Sequence, residues 1–252
     1  METAPAAVAG RARPRRLLPP AGLFWTGFAV AAVVFLPLAF LLLQTAQVGW
    51  HTLAPLLFRH LTATLLWNTV RLTLAVTLVC AVLGLGAAWL VERTDVPWRR
   101  FWRVALVLPL AVPDFVLAYG WVSIAPAVSG YWGSVLVMSL GTYPLVFLPV
   151  AAALRASDPS IEDVSRGLGL GRARTFVHVT LHQIRPALLG GSLLVALILL
   201  AEFGTFEILR FQTFTTEIYT EFEIGFNTPA GCALSLVLVL LGLLLLVSEA
   251  AA

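Results

Sequence analysis

The sequence has no lysine, little charge and almost no cysteine, and each shortage removes a class of answer. Charged residues make up 12% of the 252 residues and hydrophobic residues 60%, a balance far from that of a soluble globular domain. All sixteen basic residues are arginine and the net charge is +3; this fits an arginine-biased proteome and says little about partners. The arginines do not gather on one face with interleaved aromatics, so a nucleic-acid surface is excluded. Cys80 and Cys232 lie in separate apolar runs, which speaks against a disulfide or metal site and for small buried residues. A cleavable signal peptide is also not expected. Arg11, Arg13, Arg15 and Arg16 precede an apolar run too long for one, without a small-residue cleavage site, so that run reads as a retained anchor. No Walker A pattern, nucleophile elbow or paired catalytic carboxylate occurs, so the chain is not expected to be an enzyme.

What the chain does have is apolar runs long enough to cross a bilayer core, which takes roughly 20 residues each. Six spans are predicted: Leu23–Ala46, Thr69–Val91, Trp102–Ile124, Trp132–Leu154, Ala187–Ile208 and Ala230–Val247. The fold class is therefore an all-α polytopic membrane protein, with an N-terminal tail over 1–20 and one six-span domain over 21–252. Pro109 and Pro113 in span three, and Gly141 and Pro144 in span four, predict kinks. Such spans line a path or pack on partners rather than face lipid all round. With the N-terminus inside, the inner segments hold thirteen arginines: Arg11, Arg13, Arg15, Arg16, Arg93, Arg99, Arg100, Arg103, Arg155, Arg166, Arg172, Arg174 and Arg185. Arg59, Arg71 and Arg210 remain outside or at the outer edge. The positive-inside rule then places both termini in the cytoplasm. The Trp residues near span ends read as interfacial belts.

Between spans four and five lies a polar island, residues 157–186. Its charges and glycines cannot sit in hydrocarbon. Asp158 followed by Pro159 is a helix start. Glu162 and Asp163 suit the helix N-terminus, and Ile161, Val164 and Leu168 share one face. Gly167, Gly169 and Gly171 predict a sharp turn with positive φ. A second helix carries Phe176, Val177, Val179, Leu181 and Ile184, and Pro186 is expected to open the next span. The product is a helix–turn–helix knob with an apolar side that a soluble partner would bury.

At these residues the chain resembles the permease subunits of binding-protein-dependent ATP-binding-cassette importers. Asp163 stands for the family's acid, Val164 and Ser165 for its two small residues, and Gly169 for the glycine six positions on. Val179 and Leu181 stand for the isoleucine and leucine that follow. His182 replaces the family's proline, so the helix is expected to run straighter there. A second segment, Glu202-Phe203-Gly204, Leu209-Arg210-Phe211 and Thr213 to Tyr219, resembles the ferric-iron permeases of this superfamily. The resemblance implies a coupling loop, with Glu162, Asp163, Gly169, Phe176, Val179 and Leu181, that docks a pair of partner ATPase subunits. ATP and magnesium would bind those partners, and this chain would bind no cofactor. It further implies a periplasmic or lipoprotein binding protein that delivers ferric iron, and a second permease half. Such iron permeases usually fuse two halves, and span six ends here without a basic anchor, so a further half is expected beyond residue 252, the alternative being a second copy of this chain.

Asp114 in span three and Glu202 in span five are the acids well inside the membrane. Intramembrane acids face a path or a polar partner by default, and both are candidates for a translocation path. Each is equally read as packing at an interface or accepting a hydrogen bond near a helix end. His178 and His182 share a helix face, without the acid of a zinc-protease pattern, and read as surface residues of the knob. Tyr219, Glu221 and Glu223 offer hard oxygen ligands but read more plainly as an outer loop that meets a soluble protein. The rival readings are the same machine with thiamine, polyamine, phosphonate or sulfate as cargo, and an ion-gradient transporter with Asp114 and Glu202 as its relay.

Overall fold

Apolar runs punctuated by proline form helices that the prolines bend or break. The computed structural model describes residues 21–250, and the tail 1–20 with its four arginines lies outside the described residues. No strand occurs among the described residues. Five helices there are long and apolar enough to cross a membrane, or six if one bent pair counts as a single span. The chain divides into two units, 1–40 and 41–252. The first holds most of α1 (Ala21–Val48), an apolar helix with Pro37 inside it.

In the second unit, α2 (Trp50–Leu57) precedes α3 (His60–Arg93). The second span thus starts at His60 rather than Thr69, because Leu65 buries against Phe214 and Leu234 and extends the helix outward. Span three is not one rod. α4 (Arg99–Ala105) and a 3-10 turn over Leu108–Ala111 meet α5 (Asp114–Ile124) at 92°. Pro109 lies in the turn and Pro113 caps α5. Proline lacks an N–H and pushes the residue before it to extended backbone, and Val112 is extended at φ −105° and ψ 125°. In span four Pro144 interrupts without breaking: α6 (Gly130–Thr142) passes through Tyr143 into α7 (Pro144–Ala156).

Span five needs correction at both ends. α8 (Pro159–Gly167) is followed by α9 (Arg172–Thr175), a π turn over Phe176–Thr180, and α10 (Leu181–Ala201), and the last three run on as one rod. Pro186 therefore lies inside a helix instead of opening one, and the fully buried Ile184 beside it anchors the rod to the core. The rod stops at Ala201 rather than Ile208. Glu202 turns extended, and α11 (Gly204–Ile208), α12 (Phe214–Tyr219) and a π turn over Thr220–Ile224 lead to α13 (Thr228–Ala250).

The core lies where α7 packs against α3 and α10. Val76 and Cys80 of α3, Val146, Phe147 and Val150 of α7, and Val195 and Leu199 of α10 are buried there. Two glycines set the spacing. A Cβ on Gly84 would stand 2.7 Å from Val146 Cβ, and one on Gly191 would stand 2.9 Å from the Leu145 carbonyl oxygen. Close backbone approach through small residues is how helices gain packing energy in lipid, which supplies little hydrophobic drive between them.

Candidate functional site

The polar island forms the predicted knob. Asp158 Oδ1 accepts the Ser160 N–H at 2.9 Å, which starts α8 and holds the Asp158 carboxyl below its usual range. The turn after α8 is a Schellman motif: Leu170 N–H donates to Ser165 O at 3.1 Å and Gly169 N–H to Arg166 O at 3.0 Å. Of the three glycines only Gly169 has positive φ, at 90°. Gly167 is helical and Gly171 sits at φ −66°, so a single left-handed residue makes the turn.

The knob has two sides. Ile161, Val164 and Leu168 are exposed on one, an apolar surface left uncovered among the described residues. Asp163 is exposed beside them, 3.7 Å from Arg166. Glu162 points the other way and is buried; its Oε1 accepts the Thr180 hydroxyl at 3.1 Å and lies 3.2 Å from Arg93 Nε. Phe176 sets its ring edge-on to Trp89 at 6.0 Å, while Val179 and Leu181 are half-buried. A cavity of about 520 Å³ opens at the opposite end of the bundle, lined in part by Asn68, Glu207, Arg210 and Thr220. A smaller one of about 320 Å³ lies between the knob and α3, among Trp89, Arg166, Arg172 and Phe176. The residues expected in the coupling loop thus separate into an exposed set (Asp163 and its apolar neighbours), the turn residue Gly169, and a set that seats the knob (Glu162, Phe176, Val179 and Leu181).

The two membrane acids lie at helix breaks. Asp114 opens α5 just past the 92° bend, and its Oδ1 would be 2.8 Å from a Cβ on Gly141, so a glycine admits the carboxylate against α6. Glu202 sits at the end of α10 rather than within a span, and its Oε1 accepts the Thr205 N–H at 2.8 Å. That is the helix-end hydrogen bond weighed as its plainer role. The breaks adjoin: a Cβ on Gly204 would lie 3.4 Å from Phe115 Cβ and 3.9 Å from Glu202 Oε1. Both acids are half-buried. At the same end, Glu217 and Glu221 are bound by Arg59 at 2.6 and 3.1 Å, and Tyr219 stacks on Phe203 at 4.4 Å. Glu221 and Tyr219 therefore hold the fold there.

Sequence reasoning missed three groups. Arg71 places its guanidinium 4.7 Å from the Tyr131 ring centre and 5.6 Å from that of Phe211. Arg59 was counted only for sidedness. Glu92, with a side chain only 2% exposed, collects Arg103 and Arg155. The available signal was an acid next to Arg93 at the edge of an apolar run.

A family model described as a binding-protein-dependent transport system inner membrane component matches residues 81–251. Among curated relatives, the Fe(3+)-transport system permease protein FbpB 2 of Haemophilus influenzae is 38% identical over 94% of this chain. The chain spans 46% of that relative's length. The molybdenum transport system permease protein ModB of Escherichia coli is 28% identical over 71% of this chain and 91% of its own. A crystal structure of a bacterial ABC transporter that imports the acidic polysaccharide alginate has the same fold. It matches with TM-score 0.68 at 15% identity, over 91% of this chain and 94% of that one.

Proposed function

This chain belongs to the binding-protein-dependent transport system inner membrane components, and from that premise we propose that it is the membrane-spanning part of an ATP-driven importer of ferric iron. The observation that carries the import reading is the 157–186 knob. It sets an exposed apolar face on a defined hinge, while its other side is pinned to the bundle by the Arg93–Glu162 ion pair. Such a face suits the groove of a soluble partner, here a pair of ATPase subunits that hydrolyse ATP on the chain's behalf. Nine arginines, from Arg93 to Arg185, lie in the segments at the knob's end of the spans, which supports a cytoplasmic knob under the positive-inside rule. Ferric iron rests on the similarity to the Haemophilus influenzae permease over nearly the whole chain. The cargo would arrive on a periplasmic or lipoprotein binding protein, cross beside a second permease half, and pass the breaks at Asp114 and Glu202.

A second reading keeps the machine and changes the cargo, because molybdenum, sulfate and spermidine/putrescine permeases are also similar, at 25–28% identity. One experiment separates them. The full-length permease is reconstituted in proteoliposomes with its ATPase and binding protein, and radiolabelled iron uptake is followed. Uptake that requires ATP and is competed by ferric citrate, not by molybdate, sulfate or spermidine, supports the proposal. Competition by one of the other three ions replaces the cargo, and iron uptake that persists without ATP overturns the importer reading.

A further inference from the structure

The knob's end of the bundle holds a wider charged network, of which the docking reading uses only the Glu162 tie. Glu92 and Arg93 lie in the last turn of α3, and each binds different elements. The Glu92 carboxylate takes Arg103 through both oxygens at 2.9 and 2.7 Å and Arg155 at 3.0 Å, with Arg99 3.7 Å away. Arg99 also donates to the carbonyls of Val91 and Glu92, and so closes the last turn of α3, where helical carbonyls have no partner of their own. The chain swings back beneath α3 through Trp98, a non-glycine residue at φ 60°. Strained backbone of this kind persists where the surroundings over-determine it.

Arg93 works in the other direction. Its Nη2 donates to Ser157 Oγ at 2.6 Å, and its Nε forms the 3.2 Å ion pair with Glu162. That contact is electrostatic, without the alignment of a hydrogen bond. Arg166 stands 3.6 Å from the second Glu162 oxygen. The helix α8 itself packs chiefly on α9 and the π turn, the returning arm of the same knob. The Arg93 pair is thus a direct tie from α8 to a membrane span.

We infer that Glu92 and Arg93 are positioning residues that hold the coupling knob at one attitude to the spans. Glu92 gathers α4 and α7 onto the end of α3, and Arg93 fastens α8 to the same point. A push on Ile161, Val164 and Leu168 then reaches three helices at once instead of turning α8 about Gly169. A carboxylate as buried as Glu92, and the largely buried Arg93–Glu162 pair, resist loss of their partners, because the remaining charge is left uncompensated, and the two-point Arg103 contact also fixes direction. The inference rests on the docking reading for its purpose but not for its geometry.

The test uses the full-length permease in nanodiscs, in a Cys80→Ala, Cys232→Ala background. Spin labels sit on cysteines replacing the exposed Ser160 and Arg100, and distances are read without the ATPase. Arg93→Gln and Glu162→Gln should each broaden the label distance distribution, and Arg93→Lys should keep it narrow. With the ATPase and binding protein added, unlabelled Gln variants should move roughly ten-fold less substrate per ATP hydrolysed, and the double variant should lose no more than either single one. Narrow distances in both Gln variants, or additive losses in the double variant, overturn the inference. If wild-type protein moves no iron while the distances behave as stated, the cargo proposal fails and the positioning role stands.

Discussion

At the scale of single residues, positions are decided by what the backbone or a carboxylate will tolerate. Gly169 has open space around its absent Cβ but sits at φ 90°, so a β-branched residue there is strained by conformation alone. Gly169→Val should insert and express normally yet lose association with the ATPase, measured by co-purification; retained co-purification with full uptake would remove the knob from the coupling path. Asp114 and Glu202 are tested differently. A charged side chain facing lipid at a span centre costs at least roughly 2.5 kcal/mol, so Asp114, at the break inside span three, is expected to face the interior of the assembly; Glu202, at the adjoining break after α10, is expected to share that interior. Asp114→Asn and Glu202→Gln should lower iron uptake well below their membrane protein level in quantitative blots. Unchanged uptake in both would leave Glu202 with its hydrogen bond to Thr205 as its whole role.

At the scale of elements, the contacts of α3, α7 and α10 depend on two missing side chains. Val146 lies under both Gly84 and Gly191, so either glycine enlarged to valine forces one helix off α7. Overpacking a fitted core typically costs about 1–3 kcal/mol, and backbone atoms that cannot swing aside put these sites at the upper end. Gly191→Val should lower the detergent-solubilised melting temperature, whereas Gly190→Val, one position away with open space around it, should leave it within error. Equal melting temperatures for the two variants would show that the close approach does not contribute.

For the whole molecule, the decisive property is sidedness. A cysteine replacing Arg172 in the knob should react with an impermeant thiol reagent only from the cytoplasmic face. One replacing the exposed Glu223 should react only from outside. Both belong in the Cys80→Ala, Cys232→Ala background. Thr215 is a poorer reporter, because its hydroxyl is engaged with the Glu202 carbonyl. External labelling at position 172 would invert the topology and detach the knob from any cytoplasmic ATPase.

Much of this was legible along the chain, because composition, proline position and glycine spacing act locally. Apolar runs forced helices, Pro109 and Pro113 marked the bend, and Asp158-Pro159 with Gly169 marked the knob's start and turn. Other features needed partners distant in sequence. That α3 reaches out to His60 depends on Phe214 and Leu234. That α10 runs through Pro186 depends on the burial of Ile184 in a core shared with α3 and α7. Glu202 leaves the span because Thr205 offers its carboxylate an N–H. Glu162, expected in a loop that docks a partner, faces its own bundle because Arg93, sixty-nine positions earlier in the chain, stands 3.2 Å away. Periodicity reports which face of a helix is apolar, but a charge is placed by the opposite charge that folding brings to it.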